Sequence, residues 1–168
     1  MMSRDGGSPD SRVWLLGDSE PENSRKKLSV PLDARHPARH NIWTPVLNVA
    51  QGRLYELERL RFNDAAVYVR NAVASKTDRP RPNARTWLGQ VEWEIAELAR
   101  LIKENKPLLI FSFGAFSHEF ALRALCVLGT PHEPQRFDRW TTKALGACFL
   151  DSCRTFDVST LPLSLGRC

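Results

Sequence analysis

The hydrophobic pattern of the chain alternates between short continuous apolar runs and longer stretches in which apolar residues recur every three or four positions. The continuous runs cover residues 12–17, 65–71 and 108–113. Each run is short and bounded by turn-forming or polar residues, which is typical of a strand buried on both faces of a sheet. The pattern therefore predicts three buried strands.

The periodic stretches between these runs predict amphipathic helices. Apolar residues at helical spacing occur over 46–60, 88–102 and 116–128, and this spacing places them on one helix face. The second stretch has the clearest signal, and Thr86 is its expected N-terminal cap. The sequence thus predicts one helix after each of the three strands.

The last part of the chain predicts one further helix over 140–156 and a fourth strand over 158–165. Strands that alternate with helices indicate an α/β fold, in which right-handed crossovers join parallel strands. We therefore predict a single three-layer α/β/α domain with a central four-stranded parallel sheet over residues 12–168. The opening residues 1–11, rich in Gly, Ser, Asp and Pro, are expected to be a disordered tail.

The length and the charge distribution of the chain indicate one domain with an anionic partner. With 168 residues, the chain is long enough for one core. Its formal charge of +5 is concentrated rather than scattered. The stretch 25–40 has five Lys or Arg against one acid, and the stretch 76–85 has four against one. Such local excess is typical of a phosphate-binding surface, so an anionic partner is expected.

The sequence also predicts a cellular setting. It contains no apolar run long enough to cross a membrane and no secretory leader. Its four cysteines form no CxxC pair, so reduced thiols are expected. We therefore expect a cytoplasmic monomer that does not bind membranes.

The polar and basic segments of the chain lie at one edge of the predicted sheet. The GDSEP loop, both basic stretches, Asn71 and the turn at Gly114 all follow the carboxyl end of a predicted strand. Open parallel sheets bind ligands at this edge. The working site is therefore expected in the loops that follow the strands.

Four runs in this order carry a resemblance to a known family. They are LLGDSEP, HPARHNIWTP, YVRNAV and LLIFSFGAFSHEFALRAL. Together they resemble the uracil-DNA glycosylase superfamily, especially its bacterial and archaeal branches with a short Gly-acid-Ala-Pro-Gly first motif. The likeness covers residues 12–128, about two thirds of the chain. It implies a DNA-repair hydrolase that cleaves the N-glycosidic bond of uracil or a related damaged base.

The resemblance implies roles for individual residues. The water-activating position of the first motif corresponds to Glu20, which precedes Pro21, or to Asp18; one extra residue in this loop leaves the choice open. Trp43 corresponds to the aromatic residue that stacks on the extruded base, and Asn71 to the amide that reads it. The competing interpretations are an exposed turn for the acids, a core anchor for Trp43 and a cap for Asn71.

The implied partner is DNA, single or double stranded, that contains uracil or damage. Phosphates are expected at six basic side chains, namely Arg35, His36, Arg39, Arg79, Arg81 and Arg85. No cofactor is expected. Some branches of the family hold an iron–sulfur cluster through a cysteine after the second strand, where this chain has Ala74 and Ser75. No metal site is expected at His36 and His40, because Pro37 separates them and no third ligand is near.

One departure from the family leaves the activity open. The family has a second catalytic motif with a His after the fourth strand, whereas no His follows His132 in this chain. Either the domain is truncated or altered in frame at its C-terminus, or it does without this group. Two alternatives to an active glycosylase therefore stand: a catalytically impaired relative that binds nucleic acid or nucleotide, and a different doubly wound domain that binds a phosphate or a nucleotide-sugar.

Overall fold

A computed structural model of the protein describes residues 5–20, 48–49, 51–52, 55–56, 59–61, 63, 66–154 and 163–167. The strands are β1 (Asp5–Gly6), β2 (Val13–Glu20), β3 (Val67–Ser75), β4 (Leu109–Phe113) and β5 (Leu163–Arg167). The main helices are α1 (Gln90–Asn105), α2 (Ala115–Val127) and α3 (Thr142–Arg154). The prediction of an α/β fold is confirmed.

The strands form one sheet in the order β1-β3-β2-β4-β5. The pairs β3–β2, β2–β4 and β4–β5 are parallel, as predicted, whereas β1 pairs with β3 in the antiparallel direction. The sheet therefore has five strands, and the predicted count of four is wrong because it lacked the short edge strand β1. An unpaired edge of β3 offers backbone donors and acceptors to any neighbouring segment, and Asp5 and Gly6 pair there with Arg70 and Val69.

The opening segment differs from the predicted disordered tail. Besides forming β1, it is held to β2 because the Trp14 indole donates hydrogen bonds to the carbonyl groups of Pro9 and Ser11, at 3.1 and 2.8 Å. Trp14 is itself a core residue, so its polar edge needs these acceptors. Burial of Trp14 thus fixes residues 9–11, which precede β2.

Three predicted boundaries also differ. Strand β2 ends at Glu20 rather than at Gly17, so Asp18 and Glu20 lie in the strand and not in the loop after it. Strand β3 continues four residues past Asn71, because Ala72 and Val73 are completely buried and extend the apolar run. Helix α1 is capped by Gly89 at φ 68° rather than by Thr86, and Leu88 lies outside the helix with 71% of its surface exposed. A left-handed φ of this kind favours glycine, which shifts the helix start.

The main core lies between one face of the sheet and helices α1 and α2. It contains the aromatic side chains of Trp14, Tyr68, Phe116 and Phe120. A smaller cluster on the opposite face is built around Leu15, Val67 and Val69. The predicted helix over 46–60 is helical at 48–49, 51–52 and 55–56. The other residues of this predicted helix lie outside the described residues or are not helical, so the predicted three-layer arrangement stays a prediction.

The order of the strands positions the site. The chain leaves β2 for β3 on one side, and then passes through α1 to β4 on the other side of β2. The direction of the connections therefore reverses between β2 and β4, and ligands bind open sheets at the carboxyl ends of such a pair. Within the described part of the chain, no helix combines the length and apolar character needed to cross a membrane.

Candidate functional site

An ion pair lies at the carboxyl end of β2, beside the point where the strand order reverses. Asp18 Oδ2 is 2.9 Å from the guanidinium Nη1 of Arg79, and about a third of each side chain is exposed, 32% and 31%. Burial raises the pKa of Asp18 above its usual value, and the charge of Arg79 offsets only part of this rise. Among the described residues, the buried Oδ1 atom has no hydrogen-bond partner.

Aromatic rings hold Arg79 in place. Its guanidinium carbon lies 5.3 Å from the ring centre of Phe116 and 4.8 Å from that of Phe137. Phe116 belongs to the first turn of α2, and Phe137 to a 3-10 turn at Phe137–Arg139. Cations at this distance from an aromatic face are attracted to it. Segments that follow β3, β4 and α2 in the chain therefore meet around the Asp18–Arg79 pair.

The structure gives different surroundings to the predicted phosphate ligands. Arg79 is engaged by Asp18, whereas Arg81 is exposed. Arg85 lies 3.2 Å from Glu133, but both side chains are mostly exposed, so the pair contributes little to stability. The other three predicted ligands lie outside the described residues, namely Arg35, His36 and Arg39.

The remaining predicted site residues are only partly brought together. Glu20 is the last residue of β2, paired with Ser75, and Trp43 lies outside the described residues. Asn71 pairs in register with Gly17 in the middle of β3 and does not end the strand. Because side chains alternate along a strand, Asn71 lies on the sheet face opposite to that of Asp18.

A buried carboxylate that the sequence reasoning missed lies behind the site. Glu119 in α2 is completely buried and accepts four hydrogen bonds. Three come from side chains, Arg123 Nε at 2.8 Å, His132 Nε2 at 3.1 Å and Trp140 Nε1 at 2.9 Å, and one from the backbone N–H of Gln135 at 3.0 Å. Burial alone would raise the pKa of Glu119, but these hydrogen bonds lower it.

This cluster sets the position of Phe137. Arg123 also donates to the carbonyl of Gln135 at 2.9 Å and lies 3.7 Å above the ring centre of Trp87. Both sides of the turn that carries Phe137 are thus tied to α2. The sequence holds one sign of this cluster. Glu119 lies next to the apolar face of a predicted helix, and a carboxylate that is buried beside such a face must be paired or hydrogen-bonded. The partners themselves come from a loop that no periodicity identifies.

A second buried titratable group, His118, predicts how stability depends on pH. Its Nδ1 lies 3.2 Å from Ser112 Oγ, and its ring contacts Trp140 edge-on at 4.5 Å. Burial lowers the pKa of His118 to about 4, and the nearby Glu119 opposes this only in part. The unfolded chain, with a pKa near 6.5, therefore binds this proton more strongly than the folded protein.

We accordingly expect the contribution of His118 to be complete above pH 6.5 and to be lost as the pH falls from 6.5 towards 4. The free energy of unfolding should decrease by roughly 3 kcal/mol over this interval, since one pKa unit corresponds to about 1.4 kcal/mol. Urea unfolding across this range measures the change. The variant His118→Gln serves as the control, because its other acidic groups still titrate; an equally steep decrease in that variant would contradict the assignment.

The chemistry available at the site is that of a half-buried carboxylate fixed by an arginine and walled by phenylalanines. Among the described residues, no group of three His, Cys, Asp or Glu side chains is placed to hold a metal ion. A scan of the sequence against protein-family models finds no match, and a search of curated proteins finds none either.

Proposed function

We propose that the chain is a DNA base-excision glycosylase-like protein that hydrolyses the N-glycosidic bond of uracil or of a related damaged base. The observation that carries the proposal is the position of Asp18, a half-buried carboxylate at the carboxyl end of β2 beside the strand-order reversal. The parallel strands in the order β3-β2-β4-β5 support a uracil-DNA glycosylase-like fold. The sequence motifs that resemble this superfamily support the same assignment.

In this proposal Asp18 orients the attacking water. Cleavage of an N-glycosidic bond develops positive charge on the sugar, and a nearby carboxylate both stabilises that charge and accepts a proton from water. The raised pKa of Asp18 makes its carboxylate a stronger base than an exposed aspartate. Arg79 holds one oxygen and thereby limits the rotation of the side chain. Glu20 remains the competing base on the sequence motif, and Trp43 is the proposed contact to the uracil ring. Asn71 has no role in this proposal, because it lies on the sheet face opposite to Asp18.

A specific observation favours the second candidate, a relative that binds nucleic acid without chemistry. Oδ2 of Asp18 is engaged by Arg79, and Oδ1 is shielded from solvent. Only Oδ2 is left for a water molecule, and its ion pair with Arg79 makes it a poorer acceptor of a proton. Binding through the basic loops would not need one, because phosphate contacts alone supply affinity that depends on salt.

Release of free base separates the two candidates. Purified full-length protein is incubated with oligonucleotides that contain one deoxyuridine, single stranded and in duplex, and abasic sites are then cleaved with alkali. We expect cleavage at uracil and none in the matched oligonucleotide with thymine. Salt-dependent DNA binding without cleavage would instead establish the non-catalytic candidate. If the protein neither binds DNA nor releases base, both candidates are contradicted.

A further inference from the structure

A basic segment outside the predicted phosphate-binding stretches lies next to the site. Residues 136–143 contain Arg136, Arg139 and Lys143 against a single acid, Asp138. Asp138 is paired with Arg136 at 2.6 Å. Arg139 and Lys143 are exposed, and within the described ranges neither forms an ion pair, although the charge of Arg139 also helps to lower the pKa of Asp138. The segment therefore presents two positive charges to solvent.

The position of this basic segment follows from Phe137. The ring of Phe137 contacts that of Phe116 at 5.3 Å between centres and lies under the guanidinium of Arg79. Arg139 is two residues further along the same turn, and Lys143 is in the first turn of α3. The segment thus borders the Asp18–Arg79 pair on the α2 side, whereas the loop with Arg81 borders it on the β3 side.

The turn that carries Arg139 is held on both sides. The N–H of Gln135 donates to Glu119 at 3.0 Å, and the Trp140 indole donates to the other oxygen of Glu119 at 2.9 Å. Each anchor is a hydrogen bond to a completely buried carboxylate. A basic surface on a fixed backbone loses less conformational entropy when it binds a ligand than one on a loose tail.

The distribution of charge around the site indicates the ligand. Because Asp18 engages Arg79, the charge of that arginine is largely neutralised and contributes little attraction for an anion. Unneutralised charge lies on both sides of the pair instead, at Arg81 and at the exposed side chains of segment 136–143. A polynucleotide that crosses the site would place successive phosphates on these two sides.

We infer that segment 136–143 is a nucleic-acid contact surface, in which Arg139 and Lys143 bind backbone phosphates on the side of the site opposite to the loop after β3. This inference rests on the proposed function in one respect, that the ligand of the site is a nucleic acid. It does not require that the protein cleave anything.

The test measures the affinity for a uracil-free single-stranded DNA oligonucleotide by fluorescence anisotropy at several salt concentrations. In the variant Arg139→Gln/Lys143→Gln, the slope of log affinity against log salt should become less steep by about 1.4, because each phosphate contact to a single strand contributes about 0.7. The affinity at moderate salt should fall about tenfold. The control variant Arg12→Gln/Lys103→Gln removes the same charge from exposed positions before β2 and in the last turn of α1, at the opposite edge of the sheet.

An unchanged slope in Arg139→Gln/Lys143→Gln, or an equal change in the control, would overturn the inference. Thermal melting of both variants confirms that each is folded. Base release measured on the same preparations separates the two proposals. If the wild-type protein binds DNA through this surface but releases no base, only the glycosylase activity is contradicted. If the slope is unchanged in the variant while base release is intact, only the contact surface is contradicted.

Discussion

Replacement of Asp18 by Asn should lower the rate of base release by about 10²- to 10⁴-fold, the usual contribution of a general base. Asn has the same shape but cannot accept a proton or carry the negative charge that stabilises the developing cation on the sugar. The fold should survive. Burial disfavours the charged form of Asp18, and a neutral amide at the same position does not carry this desolvation penalty. The measurement is the single-turnover rate of base release, with the unfolding free energy determined in parallel.

Two further variants make this result specific. Asp10→Asn is the matched control, because Asp10 is exposed in the segment before β2, away from the carboxyl ends of the strands. Its rate should equal that of the wild type. Glu20→Gln tests the competing base of the same motif. A wild-type rate in Asp18→Asn together with loss of activity in Glu20→Gln would transfer the role to Glu20, and wild-type rates in both would contradict a carboxylate mechanism.

Replacement of Glu119 by Ala should destabilise the protein by about 3–5 kcal/mol, which is typical when one partner of a buried ion pair is removed. The loss would leave Arg123 as a buried charge without its carboxylate, and would deprive His132, Trp140 and the Gln135 amide of their acceptor. Folded domains are stable by only 5–15 kcal/mol in general, so this change is a large fraction of the total. Urea unfolding at pH 7 measures it.

The matched control for this prediction is Glu104→Ala. Glu104 lies in the last turn of α1 and pairs with Arg100 on an exposed surface, where such pairs contribute little. Its free energy of unfolding should be nearly that of the wild type. If Glu119→Ala were as stable as this control, Glu119 would not organise the loop that carries Phe137. Glu119→Gln is expected to fall between the two, since an amide retains an acceptor oxygen but no charge.

The sequence by itself determined the elements whose signal is local. The helical spacing over 88–102 and 116–128 identified α1 and α2 to within a few residues at each end, because a helix buries every third or fourth side chain whatever its neighbours are. The continuous apolar runs identified β2, β3 and β4 for a similar reason. The break at Gly17 also placed Asp18 next to the end of a predicted strand, although β2 continues to Glu20, and the resemblance to a known family named it as a candidate base.

Only the tertiary structure decided which partners these residues have. The pairing of β1 with β3, the engagement of Arg79 by Asp18 and the four hydrogen bonds to Glu119 all join residues far apart in the chain. Such contacts leave no periodicity in the sequence, because they depend on how loops are brought together by the sheet and the helices. Arg79 therefore could be predicted as one charge in a basic stretch, but not as the partner of the carboxylate at the centre of the site.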